Sequence, residues 1–181
     1  MLHFDAHSEL RVRQAWAALD ARGVPSAAAT YDPDYRPHVT LAIVDTPDPE
    51  ALAARLDPHV PDVAGMPLTM TGLGFFLTGR APAYLAVAPT RRLLELHEDL
   101  HHVVDRSLAQ ESGTTVSWPY YRPGSWMPHC TLAMDVACPS TVADALTGTA
   151  LPITATVSSV DLVPLSPNAV GAAGQDSSVR V

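Results

Sequence analysis

Pro37-His38-Val39-Thr40-Leu41-Ala42 returns as Pro128-His129-Cys130-Thr131-Leu132-Ala133. The two copies lie 91 positions apart, 38 to 129, in a chain of 181 residues. Only the Val39/Cys130 position differs, and composition alone does not produce such a match. Each copy reads as a short strand, continuing through Val44 in the first case and Met134 in the second. Side chains alternate along a strand, so His38 and Thr40 share one face while Val39 and Leu41 take the other. His129 and Thr131 behave likewise, with Cys130 and Leu132 opposite. Each copy therefore offers an imidazole and a hydroxyl on one face. Two imidazoles at one reacting atom are the minimum equipment for general acid–base chemistry. Cys130 stands where the first copy has Val39, on the apolar face, and reads as core filling rather than as a nucleophile.

The repeat is larger than the motif. Downstream of each copy a helical stretch opens near a proline, Pro49–Leu56 and Pro139–Leu146, as suits a first helical turn. A second echo follows: Pro67-Leu68-Thr69-Met70-Thr71 matches Pro152-Ile153-Thr154-Ala155-Thr156, 85 positions on, 67 to 152. Its alternation and threonine content predict strands. Upstream, Val12, Ala15, Trp16 and Leu19 have helical spacing, with Ser8 as the candidate N-cap and Gly23 as the stop. Thr90 caps a second helix with the stripe Leu93, Leu96, Leu100, Val103 and Val104. Each helix follows a short apolar stretch, Leu2–Phe4 and Tyr84–Val87. The unit reads strand–helix–His/Thr strand–helix–strand, twice. The join at Thr78–Pro82 is turn chemistry, and Gly171–Gln175 leads to a last strand, Ser177–Val181.

The expected fold is α+β: two pseudo-twofold-related lobes, each a mainly antiparallel sheet backed by helices, with a central cleft. The expected domain is a single bilobal one over residues 1–181, with repeat units at about 1–80 and 82–181. The chain carries a net charge of −8, and all eleven basic residues are arginine. A protein that holds long nucleic acid presents a broad basic surface, so only a small or terminal phosphate ligand is expected. No apolar run approaches a membrane span, the start has no leader pattern, and two cysteines make no disulfide framework. The expectation is a monomer in a reducing cytoplasm, with no membrane partner.

Two His-x-Thr motifs, His38/Thr40 and His129/Thr131, on strands of a duplicated α+β chain resemble the 2H phosphoesterase superfamily. The closest likeness is to its 2′-5′ RNA ligase-like branch, also described as RNA 2′,3′-cyclic phosphodiesterases. The resemblance covers nearly the whole chain. It implies metal-independent opening of a 2′,3′-cyclic phosphate, at an RNA end or on a small cyclic nucleotide, with no cofactor. His38 and His129 take the acid and base positions, and Thr40 and Thr131 the hydroxyl positions. The physics agrees: the ring opening needs one neutral and one protonated imidazole. Hydroxyls can donate to the non-bridging oxygens as charge builds. The reverse reaction is 2′-5′ ligation. His129 is taken as the base and His38 as the acid. Basic residues near the motifs are few, Arg36 and Arg122, which favours a small cyclic nucleotide over RNA ligation.

Other residues compete for attention. The loop from Trp118 to Trp126 holds four of the chain's eleven aromatics and leads into His129. Tyr120 and Tyr121 are candidates for stacking on a base and Arg122 for pairing with phosphate. The alternative is a proline-stiffened loop that covers the core. His97-Glu98-Asp99-Leu100-His101 fits the His-Glu-x-x-His pattern of zinc hydrolases. Its histidines fall on the apolar face of their helix, only Glu111 offers a third ligand, and His102 points away, so packing at the core edge is the better reading. His3, His7 and His59 read as surface residues. A further alternative is a non-catalytic nucleotide- or RNA-binding module of the same fold.

Overall fold

Local chemistry starts each helix. The computed structural model describes residues 1–31, 34–45, 48–56, 63–77, 80–109, 118–164 and 178–180. Strand β1 (Leu2–Phe4) leads into helix α1 (Ala6–Asp20). The cap of α1 is Asp5, not Ser8: the Asp5 carboxylate accepts the Ser8 N–H at 2.8 Å. Ser8 lies buried in the first turn, where its hydroxyl accepts the Thr156 N–H. Val12, Ala15, Trp16 and Leu19 are the buried stripe, and Gly23 takes the left-handed conformation (φ 73°) just beyond the helix. A short helix α2 (Ala27–Tyr31), not announced by the sequence pattern, is capped by Ser26. Thr90 caps helix α4 (Arg91–Leu108) through the Leu93 N–H, as expected. Helices α3 (Pro49–Leu56) and α5 (Pro139–Ala145) sit where the proline signals put them.

The first motif does not run on as one strand. Strand β2 is only His38–Val39, and β3 (Ile43–Asp45) belongs to a different sheet. Between them, the Thr40 and Leu41 carbonyls accept side-chain N–H groups of Trp126 and His101 instead of strand partners. The second motif is a true strand, β6 (His129–Ala133), with the predicted alternation: Cys130 and Leu132 are fully buried while His129 and Thr131 are half-exposed.

Strands β4 (Pro67–Phe75), β5 (Ala83–Val87) and β7 (Ile153–Val160) complete a six-stranded antiparallel sheet in the order β2-β1-β7-β4-β5-β6. That order is a palindrome under the duplication. The sheet is shared, not built once per repeat: β7 of the second unit pairs with β1 of the first, and β4 of the first with β5 of the second. At its middle, Thr69 faces Thr154, the same position of the two echoes. The pseudo-twofold of the sheet therefore passes between these two threonines. Leu68, Met70, Ile153 and Ala155 turn to the core on one side of this seam, at 0–1% exposure.

A second sheet, β3-β9-β8, joins β3 to β8 (Val163–Pro164) and to β9 (Ser178–Arg180), the strand expected at the chain's end. The expected turn at 171–175, part of the expected join at 78–82, His59 and Glu111 lie outside the described residues. Among the described residues no helix is long and apolar enough to cross a membrane.

Candidate active site

The two motif strands end the sheet order on opposite sides, yet they lie alongside each other. The sheet thus curves far enough to bring its outer strands together, and the Cys130 thiol meets the backbone of His38. Burial pushes that thiol up to about 12, so it stays a neutral filler between the strands.

Both histidines are tied in the same way. His38 Nδ1–H donates to the Arg36 carbonyl at 2.7 Å, and His129 Nδ1–H donates to the Met127 carbonyl at 2.6 Å. A carbonyl can only accept, so Nδ1 carries the hydrogen in both rings. In the neutral ring Nε2 then carries the lone pair. The Tyr35 hydroxyl lies 3.5 Å from Nε2 of His38.

The surroundings differ. His38 is 5% exposed, with Tyr35 edge-on at 5.1 Å and the His3 ring at 6.0 Å between centroids. His129 is half-exposed and sits against Phe76 (4.9 Å), Tyr84 (5.2 Å) and Tyr121 (6.4 Å). Tyr84 can lie there because Gly74 has no side chain: a Cβ on Gly74 would meet the Tyr84 ring at 2.4 Å. Thr40 is buried and Thr131 half-exposed.

His3 is not a surface residue. It pairs directly with His38 across β1 and β2 and is 6% exposed. Its Nε2 lies 3.4 Å from the Asp161 carboxylate. Burial, aided by the Arg36 charge, holds its pKa below the usual histidine range against the pull of Asp161. The sequence signal for its burial was present: a histidine between two core residues, Leu2 and Phe4.

The other expected ligand contacts are spread out. Arg36 donates to the Glu9 carboxylate on α1, which also holds Arg13. Arg122 grips Asp105 on α4 through two hydrogen bonds of 2.6 and 2.9 Å. Both guanidinium groups thus anchor the stretches before the motifs to helices. Tyr120 is 79% exposed, and Tyr121 packs at the His129 ring. His7 is exposed.

His97 and His101 share a face as expected, with ring centroids 4.5 Å apart. Each is 1% exposed. Their Nε2–H groups donate to the Tyr121 and Leu41 carbonyls at 2.8 and 3.3 Å. Glu98 faces the opposite, exposed side. This is a pair of core braces rather than a zinc-hydrolase site, whose metal would need those nitrogens and whose water would need that carboxylate.

A family model described as the 2′-5′ RNA ligase superfamily matches residues 5–166, which include both His-x-Thr segments. The chain belongs to the 2′-5′ RNA ligase superfamily. Curated proteins offer no match. For a 2′-5′ RNA ligase superfamily member, a 2H phosphoesterase-type activity is the supported class of chemistry.

Proposed function

We propose that the protein opens 2′,3′-cyclic phosphates by paired-histidine acid–base catalysis without a metal. The observation that carries this reading is the repeated clamp: the same Nδ1–carbonyl bond in both motifs, on strands that lie side by side. Nε2 of neutral His129 takes a proton from water as the water oxygen bonds to phosphorus. The bond from phosphorus to one ribose oxygen breaks, and protonated His38 gives its Nε2 proton to that oxygen. The product is a ribose phosphate monoester with a free hydroxyl, and the two imidazoles have exchanged protonation states. His129 is the base because it is the more exposed imidazole and meets solvent water; His38 is the buried acid. Thr40 and Thr131 hydroxyls donate to the non-bridging oxygens. With the 5′-hydroxyl of a second nucleotide in place of water, the same transfers bond that oxygen to phosphorus as the ring P–O bond breaks, which is the ligation the family name describes.

The substrate is small. A net charge of −8, and the engagement of Arg36 and Arg122 by carboxylates, suit a singly charged cyclic nucleotide or the last residue of an RNA better than a long polyanion. Tyr121 and Phe76 beside His129 offer rings for a base.

The test is a panel of nucleoside 2′,3′-cyclic phosphates and cyclic-phosphate-ended oligonucleotides, assayed with excess chelator. Turnover with a bell-shaped pH–rate profile is expected. Tight binding without product would replace this reading with a nucleotide-binding module, and loss of turnover on chelation would replace it with a metal-dependent one.

A further inference from the structure

Thr40 and Thr131 share a feature that the duplication does not explain. The backbone carbonyl of each accepts an indole N–H, and each indole belongs to the other repeat. Trp126 Nε1, just before the second motif, donates to Thr40 at 3.0 Å. Trp16 Nε1, on α1 of the first repeat, donates to Thr131 at 3.2 Å. The indoles are not equivalent positions: adding the motif spacing to Tyr35, not Trp16, leads to Trp126. Two different routes have converged on the same bond.

Both tryptophans are themselves immobilised. Trp126 is 8% exposed and lies flat on His97, with centroids 3.9 Å apart and planes 4° apart. His97 in turn holds the Tyr121 carbonyl, and His101 holds the carbonyl of Leu41, next to Thr40. Trp16 is 3% exposed, with the Arg13 guanidinium 5.6 Å above its ring. The carbonyls they grip need them. Strand β2 stops at Val39, so among the described residues no neighbouring strand takes the Thr40 carbonyl, and β6 is the outermost strand on its side of the sheet order. A buried carbonyl left without a donor is costly, so these bonds fix the backbone that carries each hydroxyl.

We propose that Trp126 and Trp16 are positioning residues, each setting the motif threonine of the opposite repeat, so that the two half-sites are aligned to each other rather than built independently. The proposal rests on the reading of Thr40 and Thr131 as donors to the phosphate. Neither indole touches the reacting atoms; each acts through a threonine backbone.

A double-mutant cycle on adenosine 2′,3′-cyclic phosphate hydrolysis tests it: wild type, Trp126→Phe, Thr40→Val and the pair, with Trp16→Phe and Thr131→Val as the second cycle. Trp126→Phe is expected to lower kcat roughly ten- to a hundredfold while KM stays within about twofold. In the Thr40→Val background the same change is expected to do little more, because the hydroxyl it positions is gone. An equal factor in both backgrounds overturns the proposal, since lost packing does not depend on the Thr40 hydroxyl. If Trp126→Phe does not fold, the cycle is run with benzothienylalanine at 126, which keeps the ring size and replaces N–H by sulfur. His38→Ala, assayed alongside, separates the failures. Undiminished turnover in His38→Ala, or none in wild type, removes the paired-histidine reading and this proposal with it. An inactive His38→Ala with an additive cycle removes this proposal alone.

Discussion

An imidazole whose Nδ1–H is tied to a backbone carbonyl carries its lone pair on Nε2 when neutral, and both motif histidines are tied in that way. The carbonyl acceptor lies two residues before each ring, so the tether is local and travels with the motif. That is why the matched pair of clamped histidines was readable in the sequence: Pro-His-x-Thr carries its own orientation. The segment of His3, between the core residues Leu2 and Phe4, carried a signal for its burial, but its place beside His38 comes from strand pairing across 35 positions and was not readable there. Gly74 carries a prediction of its own. Gly74→Ala drives a Cβ into the Tyr84 ring, which backs His129, and should cost about 1–3 kcal/mol in a urea melt, with a drop in kcat. Gly72→Ala, two residues earlier and facing open space, should leave both nearly unchanged. Equal effects from the two substitutions would contradict this account of the Tyr84 wall.

Among the elements, helices α3, α4 and α5 were legible because their signals are local: a proline at the first turn, a threonine cap, an apolar stripe. The early end of β2 was not legible. Its cause is two donors, Trp126 and His101, that lie 86 and 60 positions away from their acceptors. Helix α4 pays for this brace with two buried imidazoles. Burial, with His101 next to it, lowers the His97 pKa to about 4, and His101 is lowered too. The unfolded chain binds protons at these positions from about pH 6.5 downwards, before the folded state does. Stability is therefore full above that pH and falls as the pH drops towards 4. A thermal melt should lose on the order of 5–10 °C across this window beyond the loss in His97→Phe, which removes the proton site and keeps a ring on Trp126. Parallel pH curves for the two proteins would contradict the assignment.

For the whole molecule, the duplication is written into the hydrogen-bond register: Thr69 against Thr154, and a strand order that reads the same from either end. The sequence announced two similar units but not their exchange of strands, since pairing partners in a sheet depend on which edges meet and not on the composition of either strand. The exchange predicts that segments 1–80 and 82–181, expressed separately, give no cooperative melt, because each would leave an inner strand without its partner from the other unit. Mixed and refolded together, they should recover a melt; an independently folded half would contradict the shared sheet. The two motif strands lie alongside each other in this shared sheet, and the proposal that they form one site is the central claim. It is tested most directly by kcat on adenosine 2′,3′-cyclic phosphate, in chelator, for His38→Ala, His129→Ala and the double variant. The account predicts that each single change lowers kcat by about 10²–10⁴-fold with the fold intact, and that the double variant is scarcely slower than the slower single, as for residues acting as a unit. Wild-type turnover in either single variant would contradict it.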